Sequence, residues 1–300
     1  MNILITGAWK QAKEHIHTIE KLGHNVCFMQ CESNTLPCTY EWVEGVVGNG
    51  LFLKHNIEDF INLKYIQLTS AGFDRVPIDY IQKHDITIYN ARGVYSIPMA
   101  EYAVAGVLQI YKQMAFFTDN KRKRIWEKNR GLIELNGKKV VIVGCGSVGT
   151  ECAKRFDAFG CKVVGIDLYP RKDINYESIV DIKEMDDILP QADVVVITLP
   201  LTGETRHLFD MNRLTKLNEK SILVNIARGA IIDEDALVDI LPHIRGAVLD
   251  VFEEEPLPEK SRLWDMDNVI VTPHNSFVGE ENDYRLSEVI VENIEEEEKK

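Results

Sequence analysis

Val141-Ile142-Val143-Gly144-Cys145-Gly146-Ser147-Val148-Gly149, with Asp167 closing the later run Lys162-Val163-Val164-Gly165-Ile166, is the stretch whose reading decides the fold. Lys139 to Val143 is a short β-branched run, a buried strand. The glycines after it follow G-x-G-x-x-G, a pattern that lets the backbone turn tightly and approach a pyrophosphate with no Cβ in the way. Ser147 to Phe159 then carries Val148, Cys152, Phe156 and Phe159 at helical spacing, so a helix opens on the turn with its N-terminal N–H groups facing the phosphates. Gly144, Gly146, Ser147, Val148 and Gly149 are the expected phosphate-side contacts. Asp167 lies 18 residues past Gly149, near the offset of about 20 at which a carboxylate accepts from the ribose hydroxyls. That carboxylate would repel a 2′-phosphate, so the expected cofactor is NAD rather than NADP. Arg171 stands close by and could take such a phosphate, but Asp167 weighs against it. A bare G-x-G-x-x-G also marks ordinary turns; the strand before it, the helix after it and the acid ending a second strand separate the two readings.

Outward from this core, strands are expected at Lys139 to Gly144, Lys162 to Asp167, Val194 to Pro200, Ser221 to Ala227, Gly246 to Val251 and Val269 to Thr272. They are apolar throughout, as parallel strands covered by helices on both faces require. Asp233-Glu234-Asp235 opens one crossover with acids where the helix macrodipole favours them. The first third of the chain repeats the alternation more weakly, at Asn2 to Thr6, Val26 to Met29, Val46-Val47, Tyr65 to Ser70 and Ile86 to Tyr89, without a phosphate fingerprint. The fold class is therefore α/β with two parallel-sheet domains: a Rossmann dinucleotide-binding domain over residues 98–280, and a smaller flavodoxin-like substrate domain over 1–97 plus 281–300. A long helix from about Pro98 to Phe117 is expected to join them, proline being tolerated in a first helical turn. The last helix, Asp283 to Glu298, is expected to cross back to the smaller domain, with Glu295 to Glu298 and Lys299-Lys300 a solvated, fraying end.

Composition narrows the function. Three hundred residues at 45% hydrophobic content can bury a large core, and a net charge of −13 repels nucleic acid and anionic membrane over most of the surface. The basic run Lys121-Arg122-Lys123-Arg124 is left unassigned, a solvated helix face being the ordinary reading. The six cysteines have no paired spacing and read as reduced, mostly packed thiols. No signal peptide or membrane span is visible, which makes the cytoplasm the expected location.

Arg228, Glu255 and His274 fall where strands or their following loops reach the carboxyl edge of the second sheet, the edge at which open α/β sheets bind ligands. An arginine fork suits a carboxylate, and a histidine beside a carboxylate can deliver or take a proton. Singly, each has a plain structural reading: a surface ion pair, one more acid in Glu253-Glu254-Glu255, a turn cap. Together with the cofactor fingerprint, the strings Asn225-Ile226-Ala227-Arg228-Gly229, Leu249-Asp250-Val251-Phe252-Glu253-Glu254-Glu255-Pro256 and Thr272-Pro273-His274 resemble, in order and spacing, the D-isomer-specific 2-hydroxyacid dehydrogenase family. The resemblance spans nearly the whole chain. It implies Arg228 as the clamp on substrate carboxylate and carbonyl, His274 as the acid/base, Glu255 as its carboxylate partner, and Ala227 and Asp250 beside the cofactor, Asp250 at the nicotinamide carboxamide. Thr198 to Thr205 resembles the loop against the adenosine, so Pro200 and Thr205 become cofactor neighbours, although a strand-end turn would look the same. Thr69-Ser70-Ala71-Gly72-Phe73-Asp74 and Asn90 to Ser96 resemble the substrate-carboxylate loops, making Ser70, Ala71, Gly72 and Tyr95 substrate contacts.

What the resemblance implies is hydride transfer between NAD and a small 2-oxoacid or 2-hydroxyacid, in a homodimer. The homodimer is also suggested by the surface that residues 98–117 and 121–135 offer beyond one core. After His274 the chain reads Asn275-Ser276-Phe277-Val278-Gly279, bulkier than the small, glycine-bearing continuation common in the family. Two other readings stay open: a relative acting on formate or phosphite, against which the formate branch's glutamine in place of Glu255 counts, and a non-enzymatic NAD-sensing scaffold.

Overall fold

The computed structural model describes residues 1–298. The chain divides into two compact units, Met1–Tyr95 with 279–298, and Ser96–Val278. Each is a parallel sheet between helices.

Unit 1 orders its strands β2-β1-β3-β4-β5, with β1 Asn2–Thr6, β2 Asn25–Met29, β3 Gly45–Gly48, β4 Tyr65–Leu68 and β5 Thr87–Tyr89. Every adjacent pair is parallel. Chain order reverses at the junction of β1 and β3, so the switch point where an open sheet accepts ligands lies past Thr6 and Gly48. Ile3, Ile5, Val47 and Tyr65 fill one face with Leu286, Ile290 and Ile294 of the helix Asn282–Glu298. That four-residue spacing is the apolar stripe of an amphipathic helix. Its acidic end is not wholly solvated: Thr87 Oγ1 donates to Glu297 Oε1 at 3.5 Å. The expected fraying of Lys299-Lys300 lies outside the described residues.

Unit 2 carries seven parallel strands in the order β12-β11-β10-β9-β6-β7-β8: β6 Lys139–Val143, β7 Lys162–Asp167, β8 Ser178–Asp181, β9 Val194–Ile197, β10 Ile222–Asn225, β11 Gly246–Leu249 and β12 Val269–Val271. The switch point is between β6 and β9. Val140, Val141, Ile142 and Val143 are fully buried, each worth about 2 kcal/mol relative to exposure. Six of these strands are visible in the sequence; the seventh, β8, is not, because Ser178-Ile179-Val180-Asp181 is an edge strand with two polar ends, too short for periodicity to show.

The expected helix from Pro98 to Phe117 is two helices. Ser96–Tyr111 ends where Gln113 turns left-handed (φ 51°), and Met114–Lys123 follows. Nor is the first of these merely a connector. Ala100, Ala103, Val107 and Tyr111 are buried in the core of unit 2, and a Cβ on Gly106 would sit 2.6 Å from a methyl of Val248 on β11.

Candidate active site

The glycine turn shows three different demands on one motif. Gly144 is left-handed (φ 100°), and a Cβ there would lie 3.0 Å from Leu199 N. At Gly149 a Cβ would lie 2.1 Å from Gly144 O, so the third glycine lets the helix Ser147–Ala158 pack onto the turn. A Cβ on Gly146 would meet nothing within 4 Å, leaving open space before the N-terminus of that helix. A pyrophosphate fits there: backbone N–H groups converge, and no acidic residue stands in the first helical turn. Asp167, 18% exposed, accepts from Cys145 N at 2.8 Å and Tyr169 N at 3.0 Å, which fixes its carboxylate at the end of β7 beside the turn. Arg171 donates to Cys145 O across the same turn. Thr198 Oγ1 donates to Gly144 O at 2.5 Å, and Thr205 Oγ1 donates to Pro200 O at 2.7 Å, so the 198–205 loop is internally braced against the glycine turn.

Asn225, Leu249 and Val271 are paired in register across the adjacent strands β10, β11 and β12. Arg228, Glu255 and His274 come three, six and three residues later, and so share one sheet edge. His274 Nδ1 and Glu255 Oε2 are 2.8 Å apart. The other oxygen of Glu255 accepts from Phe252 N at 3.0 Å, which points the carboxylate back across its own turn. His274 itself is left-handed (φ 50°), with its N–H donating to Asp250 O at 2.8 Å. An outlier of this kind persists only where its surroundings over-determine it.

Asp250 provides that support, in a role absent from the sequence reading. It is fully buried, and its carboxylate accepts from Thr272 Oγ1 at 2.7 Å, Asn275 N at 2.8 Å and Ser276 N at 2.8 Å. In this geometry Asp250 braces the loop carrying His274. Tyr102 OH donates to Thr272 Oγ1 at 2.5 Å, and burial raises the Tyr102 phenol so that it stays a donor. Phe277 stands edge-on to the His274 ring, with centroids 6.0 Å apart.

Arg228 donates from Nη1 to Ala227 O at 2.8 Å. Asn225 holds the turn, donating to Arg228 O at 3.0 Å and accepting from Ala227 N at 3.1 Å. A Cβ on Gly229 would lie 1.9 Å from the carbonyl carbon of Phe252, so only glycine lets the Arg228 loop lie against the turn that leads to Glu255. Two of the three neighbouring glutamates, Glu255 and Glu253, separate by role. Glu255 faces His274, Glu253 pairs with His207, and Glu253 N donates to Glu234 Oε2 at 3.2 Å. Burial, then the nearby acids, push the Glu234 carboxyl up.

Asn225, Gly229, Thr272 and Tyr102 were not singled out from sequence. A polar residue ending an otherwise apolar strand was a usable sign for Asn225. Nothing local announces Tyr102, 170 residues from its partner.

In unit 1, Ser70, Ala71, Gly72 and Tyr95 come together past β4. Ser70 O accepts from Ala91 N at 2.9 Å, Ala71 O from Asn90 Nδ2 at 2.6 Å, and Gly72 O from Ser70 Oγ at 3.0 Å. A trans peptide sets its N–H opposite its carbonyl. With the carbonyls of Ser70 and Ala71 engaged on one side, the N–H groups of Ala71 and Gly72 face the other. Tyr95 OH clamps the loop through Thr69 O at 2.5 Å.

The family model described as D-isomer specific 2-hydroxyacid dehydrogenase, NAD binding domain, matches residues 104–276. The chain belongs to that family of NAD-dependent oxidoreductases. It is 35% identical over 243 residues to a glyoxylate reductase of Thermofilum pendens, an alignment covering 78% of this chain and 71% of that protein. A crystal structure of a family member from Aeromonas salmonicida superposes with a TM-score of 0.81 at 28% identity, covering 97% of this chain and 94% of the other. The D-lactate dehydrogenase of Aquifex aeolicus, solved with NAD and lactic acid, gives 0.79 at 25% identity over 98% and 94% of the two chains. Among the described residues no helix is long and apolar enough to cross a membrane, and no cluster of His, Cys, Asp and Glu could hold a metal.

Proposed function

We propose that this chain interconverts a small 2-oxoacid and its D-2-hydroxyacid, with Arg228, Glu255 and His274 as the working side chains. The observation that carries the reading is the 2.8 Å contact of His274 Nδ1 with Glu255, on a domain of the NAD-binding family. It commits one ring nitrogen to the carboxylate and leaves Nε2 for the substrate oxygen. The open glycine turn and Asp167 would hold NAD, which when bound would supply or accept the hydride. His274 as imidazolium delivers its Nε2 proton to the carbonyl oxygen during reduction, and neutral His274 takes it back in oxidation. Glu255 orients the ring through Nδ1. Arg228 binds the carboxylate as a fixed planar fork, and its charge opposes the negative charge that develops on the oxygen. In unit 1 the N–H groups of Ala71 and Gly72 are the groups suited to a carboxylate. A glutamate partner on the histidine suits proton transfer and so favours an oxoacid over formate.

The experiment is NADH consumption with glyoxylate, pyruvate, hydroxypyruvate and branched 2-oxoacids. Turnover of at least one is expected, with NADH preferred to NADPH, and Arg228→Ala should lower kcat/KM by about 100-fold as a charge-assisted contact is lost. A panel without turnover, in protein that still binds NADH, would leave a sensing scaffold and end this reading.

We also propose a homodimer. Trp126 is 97% exposed, with Ile125, Met114 and Leu132 also open in the same segment, more apolar surface than one copy needs. Light scattering that reads a monomer at micromolar concentration would overturn it.

A further inference from the structure

The switch point of unit 1 is filled by the chain's own carboxylate. Glu32, on the loop after β2, accepts from Thr6 Oγ1 at 2.8 Å, Asn49 N at 2.7 Å and Gly50 N at 2.7 Å. Two successive backbone N–H groups and a hydroxyl at the carboxyl ends of β1 and β3 make an anion cradle, and Glu32 is the anion in it. Gly48 admits it closely: a Cβ there would lie 2.7 Å from Glu32 Oε1. His55 Nε2 hydrogen-bonds Glu32 O at 3.0 Å and ties the loop from behind. Asn49 Oδ1 is buried with no hydrogen-bond partner, a second negative dipole end at the same edge.

This edge adjoins the loop assigned above to the substrate carboxylate. Thr69 N donates to Gly48 O at 2.9 Å, and β4 is the neighbour of β3, so Ser70 to Gly72 lie one strand over from Asn49 and Gly50. Adjacent strands stand about 4.8 Å apart, which puts a substituent extending from that loop along the edge within reach of the Glu32 charge.

We propose that Glu32 is a specificity-determining residue: it occupies the anion cradle of unit 1 and restricts the substrate to 2-oxoacids whose remaining substituent is uncharged. Phosphate-, sulfonate- and carboxylate-bearing 2-oxoacids are disfavoured because the N–H groups that could bind the second anion are taken and a like charge stands in their place. The proposal rests on the oxoacid reading above.

The test uses the full chain with NADH. Wild type should show kcat/KM at least about tenfold higher for glyoxylate, pyruvate or hydroxypyruvate than for phosphohydroxypyruvate or oxaloacetate, by the like-charge interaction at this range. Glu32→Gln should narrow that ratio about tenfold, chiefly through the KM of the dianions, and raised salt should narrow it in wild type but not in the variant. A second measurement needs no turnover. With NAD saturating, inorganic phosphate should raise the melting temperature of Glu32→Ala by several degrees more than that of wild type, because the vacated cradle binds it. A dianion as the best wild-type substrate, an unchanged ratio in Glu32→Gln, or equal phosphate stabilisation of both proteins would each overturn the proposal. If no oxoacid is turned over but the phosphate difference appears, the occupied cradle stands and the oxoacid reading falls.

Discussion

Both units are parallel α/β sheets whose strand order reverses once, and both bring small residues and backbone N–H groups to that reversal, yet the two crevices end differently. In unit 2 Asp167 takes the Cys145 N–H, but the turn stays open at Gly146, with nothing within 4 Å of where a side chain would begin. In unit 1 the crevice is closed from the loop after β3, where the Asn49 and Gly50 N–H groups are taken by Glu32. A shared topology therefore creates the potential for an anion site twice, and one side chain decides whether it is available. The chemistry divides in the same way. Unit 2 presents charged side chains at its edge, whereas the unit 1 loop at Ser70 to Gly72 presents backbone.

The largest effect that would break this contrast comes from the glycines. Gly149→Ala places a Cβ against the Gly144 carbonyl, backbone that cannot yield, and should destabilise the protein by about 3 kcal/mol and abolish NADH binding. Gly146→Ala should melt like wild type and lose about tenfold in NADH affinity, since its Cβ enters only the space meant for phosphate. Gly48→Ala meets the movable end of Glu32 and should cost about 1 kcal/mol with NADH affinity intact. Thermal melts and fluorescence titration decide; a Gly146→Ala protein that binds NADH as wild type does would mean the open crevice is not the phosphate site.

A matched pair of carboxylate variants sharpens the division of chemistry. Glu255→Gln keeps the shape of the side chain and removes the carboxylate that meets His274 Nδ1, and should lower kcat by roughly tenfold to 100-fold for every 2-oxoacid turned over. Glu32→Gln makes the same chemical change in unit 1 and should leave kcat for the uncharged 2-oxoacids in place while altering the substrate ranking. If steady-state kinetics give a folded Glu255→Gln protein the wild-type kcat, Glu255 is only part of an acidic turn.

The smallest expected effect concerns the cysteines, three in each unit. Cys31 in unit 1 is exposed, and its contacts with Ser33 lower its thiol below the usual value. Burial pushes Cys145 and Cys161 in unit 2 up to about 11 and Cys152 to about 12, while Cys38 in unit 1 is also held up at about 12. The thiolate is the nucleophile, so near neutral pH Cys31 should be alkylated first and the unit 2 thiols spared. Mass mapping after brief iodoacetamide treatment checks this, and label appearing first on Cys145 would contradict it.

The sequence by itself determined the parallel sheets and the cofactor turn, because both are written locally: β-branched runs, glycines at fixed offsets, an acid at a strand end. It also carried Arg228, Glu255 and His274, through motif strings whose order is diagnostic although the residues lie far apart. Tertiary structure alone decided what surrounds them. Asp250 bracing the His274 loop, Tyr102 behind Thr272, and Gly229 pressed on Phe252 are contacts between segments that share no local pattern. The same holds for Glu32, an ordinary acid in Cys31-Glu32-Ser33 until the loop after β2 folds over the ends of β1 and β3. Periodicity reports which face of an element is buried; which unpaired N–H a distant carboxylate satisfies is set only when the strands are side by side.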